Sequence, residues 1–192
     1  MVLMSLNEIN QQRLMAIAKH SIDNGLTTGR PLSIELADFP EELTEHRASF
    51  VTLEKNHQLR GCIGMLEAVR PLVKDIAENA FSAAFRDPRF PPLSRDEFKD
   101  IEIHLSLLTV PERLLFTSEQ DLINQLQPAV DGLILEETYH RGTFLPSVWE
   151  QLPAPKTFLR HLKQKAGLPA DYWSDSVKIY RYRTEVIILA PK

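Results

Sequence analysis

Ile101, Ile103, Leu105 and Leu107 alternate with Glu102, His104 and Ser106. Successive strand side chains point to opposite faces, so this spacing predicts a half-buried strand. A strand of that kind needs a sheet with one covered face. Just before it, Leu72, Val73, Ile76, Ala77, Ala80, Phe81 and Ala84 give a helix with a wide apolar stripe. Its alanines allow close packing against a neighbour. Arg70-Pro71 opens this helix, with proline at a tolerated early position. Asp87-Pro88 ends it, because proline disfavours helix in the residue before it. Arg89-Phe90-Pro91-Pro92 continues as a stiff loop.

The rest of the chain is punctuated in the same way. Ser5 and Glu8 read as a capping box for a first helix over residues 6–23, stopped by Asn24-Gly25. Residues 27–40 connect. Residues 48–54 and 57–63 read as strands of a hairpin turning at Lys55-Asn56. Ser118 caps a short helix to residue 125. Residues 132–138 and 142–145 read as strands around a Tyr139-His140-Arg141 turn. Residues 146–152 and 156–166 read as helices, and 177–190 as one or two strands. Strands are joined by turns or single helices, without a steady βαβ rhythm. The fold class expected is α+β, with a mainly antiparallel sheet flanked by helices. A single domain over residues 1–192 is expected, with no separate linker. The proline-rich stretch 87–92 is a candidate border between two lobes.

One cysteine in 192 residues excludes an intrachain disulfide and suits a reducing compartment. With 43% hydrophobic residues, the chain can fold on apolar burial alone. A net charge of −4 and the lack of a basic run disfavour nucleic acid as a partner. Residues 1–10 lack a basic region followed by a long apolar run, and no stretch approaches the ~20 apolar residues that cross a bilayer. The expectation is a cytoplasmic protein without membrane partners.

The cysteine lies in Leu59-Arg60-Gly61-Cys62-Ile63-Gly64, between two of only seven glycines. Glycine leaves the backbone open to approach. In a regular strand Arg60 and Cys62 share a face, and a guanidinium beside a thiol favours the thiolate. Cys62 is therefore a candidate nucleophile or redox thiol with Arg60 as charge partner. The alternative is a small buried apolar residue. Arg60 also suits a ligand carboxylate or phosphate, against a plain surface ion pair. Gly61 and Gly64 are candidates for admitting a ligand, against simple bulge or turn geometry. Asp87 and Arg89 are candidate ligand-orienting groups, against a loop lock in which Asp87 accepts backbone hydrogen bonds. His57 is five residues from Cys62 and faces the other way in a straight strand. A Cys-His pair requires His104, His140 or another distant histidine. Glu136, Glu137 and His140 are the most metal-like group, at a hairpin tip where solvated side chains are usual, so no metal or cofactor is expected. Trp149, Trp173 and Phe158 read as core.

The hexapeptide resembles the signature of the AMMECR1 family, and further segments match in order. They are Phe50-Val51-Thr52-Leu53, residues 83–93, Val130-Asp131-Gly132-Leu133, residues 142–149, Phe158-Leu159 and Lys165-Ala166-Gly167-Leu168. The likeness spans about residues 6–190. It implies an α+β domain of two unequal subdomains with the cysteine motif near a cleft. It also implies genes for a Memo-like protein and a radical SAM protein nearby, and a place as the A component of that three-part system. It implies no reaction, and no role passes to His104 from it. Two functions are expected. One is a small-molecule enzyme or group carrier that uses Cys62 and Arg60, with Gly61, Gly64, Asp87, Arg89 and His140 as ligand-binding candidates. The other is a non-catalytic accessory protein that binds a ligand or those two partners.

Overall fold

The structure is a computed structural model that describes residues 6–189. Its helices are α1 (Glu8–Thr28), α2 (Glu41–Thr44), α3 (Leu72–Phe85), α4 (Arg95–Phe98), α5 (Glu119–Gln125) and α6 (Pro155–Lys165). Its strands are β1 (Ser49–Lys55), β2 (Gln58–Gly64), β3 (Ile101–Leu108), β4 (Glu112–Arg113), β5 (Gly132–Glu137), β6 (His140–Phe144), β7 (Lys178–Tyr182) and β8 (Thr184–Leu189). The fold is α+β, as the patterning predicts. The strands form two four-stranded antiparallel sheets, ordered β2-β1-β3-β8 and β4-β7-β5-β6. No helix among the described residues is long and apolar enough to cross a membrane.

The chain divides into two compact units. One runs to Leu108 and resumes at Glu185; the other covers Thr109–Thr184. The second unit is thus inserted between β3 and β8, which are neighbours in the first sheet. Each unit has its own apolar core. In the first, Leu14, Ala18 and Ile22 of α1 join Val73, Ile76, Ala80 and Ala84 of α3 against Val51, Leu53, Ile103 and Leu105 of the sheet. In the second, Trp149 stacks on Phe158 at 3.7 Å, between α6 and β5 residues Leu133 and Leu135. The Trp149 indole donates to the Asp131 carbonyl at 2.7 Å, so the tryptophan fills the core with its one donor satisfied.

Several boundaries differ from the expectations, for physical reasons. Ser5 lies outside the described residues, and α1 is capped by Asn7, whose side chain accepts the Asn10 N–H. Asn24-Gly25 does not stop this helix. A side chain at Gly25 would stand 2.3 Å from the Phe85 ring, so glycine here allows α3 to pack against α1. The stop is Gly29, with φ +71°, whose N–H returns to the Gly25 carbonyl. The first hairpin turns at Asn56-His57, both left-handed, one residue later than expected. His140 lies in β6 rather than in a turn. Residues 146–150 form a 3-10 turn.

One buried network locks α3 to the sheet that carries the cysteine. The Asp75 carboxylate accepts from the Ser49 N–H and hydroxyl at 3.1 and 2.6 Å. It also accepts from Arg70 Nε and Nη2 at 3.0 and 2.8 Å, and from Asn79 at 2.9 Å. A buried carboxylate is tolerable only when its lone pairs are satisfied in this way.

Candidate functional site

Cys62 lies in β2 and is half-buried. It pairs with Thr52 of β1, and Thr52 pairs in turn with His104 of β3. The three residues form a row across three strands. Val51 and Leu53 face the apolar core, so Thr52 and its row occupy the opposite face of the sheet. The Thr52 hydroxyl meets the Cys62 Sγ at 3.2 Å. In the next row on that face, Glu54 pairs with Glu102. His104 Nε2 lies 2.5 Å from a Glu102 oxygen, and its Nδ1 lies 4.0 Å from a Glu54 oxygen. Polar residues at alternate positions of β3 were legible in the sequence. The pairing that sets them beside Thr52 and Cys62 is a tertiary fact, so Thr52, Glu54 and Glu102 had no sequence signal of their own.

Arg60 does not share this row. The β1–β2 register shifts so that Leu53 pairs with Gly61 but Glu54 with Leu59, which leaves Arg60 as the extra residue of a bulge. The period-two rule therefore fails between Arg60 and Cys62. The Arg60 guanidinium grips Glu97 with Nε at 3.0 Å and Nη2 at 3.2 Å, and donates to the Pro91 carbonyl at 2.9 Å. Its Nη1 is buried without a hydrogen-bond partner. The Arg60 hydrogen bonds, helped by the Ser94 N–H, pull the Glu97 carboxyl down to about 2.

Arg89 is the cation that touches the cysteine. Its Nη2 donates to the Cys62 carbonyl at 3.3 Å. Asp87, almost fully enclosed, fixes both groups. Its Oδ2 accepts the Cys62 N–H at 2.9 Å and Arg89 Nη2 at 2.7 Å, and its Oδ1 accepts Arg89 Nε at 2.9 Å. These hydrogen bonds, those of the Arg89 side chain first, hold the Asp87 carboxyl well below the usual carboxylate range. Arg89 is raised in return, mainly by Asp87 and to a lesser degree by the field of Cys62. The Asp87-Pro88-Arg89 turn is thus a loop lock of the expected kind that also clamps the backbone of Cys62 on both sides.

The space beside the two glycines is taken by the chain itself. A Cβ on Gly61 would stand 2.2 Å from the Ala83 carbonyl oxygen of α3, and one on Gly64 would stand 2.4 Å from the Phe50 ring. They allow close packing rather than leaving the open backbone the sequence suggests. His140 belongs to the second unit, where its Nδ1 meets the Ala166 carbonyl at 3.0 Å. Glu136 pairs with Arg141, and Glu137 accepts from Thr138 and Ser176. The His/Glu group with metal-like spacing among the described residues is Glu54, Glu102 and His104 instead.

Comparisons with known proteins agree on one relationship. The AMMECR1 family profile matches residues 15–187. A protein of Methanothermobacter thermautotrophicus is 38% identical over 179 residues, covering 90% of this chain and 91% of its own. Protein MJ0810 of Methanocaldococcus jannaschii is 38% identical over 177 residues, covering 88% of this chain and 85% of its own. The crystal structure of an uncharacterized protein, PH0010 from Pyrococcus horikoshii, superposes with a TM-score of 0.85 at 32% identity, over 94% of this chain and 92% of that one. The profile match over most of the chain, with the identity and coverage of these relatives, makes this chain a member of the AMMECR1 family.

Proposed function

We propose that Cys62 is a nucleophilic or redox thiol that forms a reversible covalent bond with a small electrophilic molecule. The observation that carries this reading is the setting of the thiol. It is half-buried on the sheet face away from the core, with a hydroxyl at its sulfur and a clamped backbone. A cysteine that only filled space would belong in the apolar core, where free cysteine is most often found. The Thr52 hydroxyl can donate to a sulfur anion, and Arg89 supplies positive charge next to it. Asp87 and Arg89 are positioning residues in this account. Arg60, held by Glu97, takes no part at the sulfur, and its Nη1 is enclosed by the protein.

Thiol–disulfide exchange tests the reading. The Cys62 sulfur attacks a small disulfide such as oxidised glutathione, one sulfur–sulfur bond forms and one breaks, and glutathione leaves as its thiolate. The expected product under native conditions is a single mixed disulfide on the Cys62 peptide, removed by dithiothreitol and absent from Cys62→Ser. Arg89→Ala should form it more slowly. A native protein that stays unmodified, while the urea-unfolded chain reacts, contradicts the reading. It would leave the accessory role with a Memo-like or radical SAM partner as the better account.

A further inference from the structure

We propose that Glu54, Glu102 and His104 bind one divalent first-row transition-metal ion, such as Zn2+ or Mn2+, on the outer face of the first sheet. The inference is independent of the thiol reading. One ligand atom from each residue falls within 4.8 Å of the other two. An ion bound at about 2.0–2.2 Å keeps its ligands within about 4.4 Å of one another, so small side-chain rotations close the set. The ligands sit on two paired strands rather than on loops. Glu54 and Glu102 face each other in register, and His104 follows Glu102 by two residues on the same face.

The charges point the same way. Like charges directly opposite each other on antiparallel strands are destabilising. Here two carboxylates oppose each other, only 28% and 23% exposed. Among the described residues, the only ion pairs of either are to the His104 ring. One imidazole thus serves two carboxylates, and with the ring neutral the trio carries two negative charges. A divalent cation neutralises that pair and takes the imidazole nitrogen as its third ligand. One nitrogen and two carboxylate oxygens suit Zn2+ or Mn2+ better than the oxygen-seeking Ca2+ or Mg2+. Three protein ligands leave a coordination position for water or a substrate. Cys62 lies in the same row as His104, with Thr52 between them, and is not among the ligands.

Equilibrium dialysis of EDTA-stripped protein against Zn2+, repeated with Mn2+ by electron paramagnetic resonance, tests this. One ion per chain is expected for the wild type and for Cys62→Ser. Glu102→Gln and His104→Gln should each bind at least tenfold more weakly. Glu54→Gln should lose affinity to the same degree while melting in EDTA at or above the wild-type temperature, because it removes the carboxylate opposition. That readout separates lost ligation from misfolding. Absence of stoichiometric binding to the wild type overturns the proposal. So does binding that survives all three substitutions, or binding lost in Cys62→Ser, which would place the ion on the thiol.

Discussion

Arg60 is held out of the Cys62 row by its pairing with Glu97. Two residues from Cys62 in sequence, it should share the thiol's face, and a one-residue bulge removes it. Its fork closes on Glu97 instead, and the role of nearby cation falls to Arg89, which the sequence offered only as a ligand-orienting candidate. No local pattern announces a bulge, because it is set by how β2 pairs with β1. The Arg60–Glu97 pair has a pH signature. Glu97 is depressed from its ordinary value of 4.5 to about 2 in the folded protein. A depressed carboxylate stabilises the fold above its unfolded value and loses that contribution as pH falls through the folded one. Glu97→Gln keeps the reach needed to serve the Ser94 N–H and removes only the charge. It should therefore melt below the wild type at pH 7, with the gap narrowing from about pH 5 to pH 2. A gap that stays constant over that range would show that the pair does not act through charge.

At the scale of elements, helices and strands were largely legible because their apolar periods are long and regular. The alternation at 101–107 gave β3, and the stripe at 72–84 gave α3. Gly167 reads as the stop of α6 and follows it with φ +84°, but other glycines were not legible, because a glycine needed for close packing looks the same as one needed for a turn. Gly25 reads as a stop and is a helix contact, whereas Gly29 reads as a connector and is the stop. Gly61 reads as open space and is where α3 presses its Ala83 carbonyl onto β2. Gly61→Ala forces a Cβ against backbone that cannot rotate away, and should cost about 3 kcal/mol or more in urea unfolding. Gly29→Ala meets no atom within 4 Å and carries only the strain of its positive φ, about 1 kcal/mol. Equal costs, or the reverse order, would contradict this assignment of the two glycines.

For the whole molecule, the α+β class was legible in the patterning, but the division of the strands into two sheets, each with its own core, was not. The reason is topological. β8 is the last strand in the chain yet completes the sheet begun by β1, with the second unit's strands between them in sequence. The candidate site has the same character. Cys62 is visible as a lone thiol in a motif, while Thr52, Glu54, Glu102 and His104 become its neighbours only through the pairing of β2, β1 and β3. The claim that this face presents a usable thiol is tested most directly by the alkylation rate of Cys62 in the folded protein, read by intact mass against the urea-unfolded chain. Because there is one cysteine, every adduct reports on it. Labelling of the native state at a rate that exceeds global unfolding, and that drops in Arg89→Ala, is the predicted result. Labelling that waits for unfolding would contradict the account and make Cys62 a packing residue.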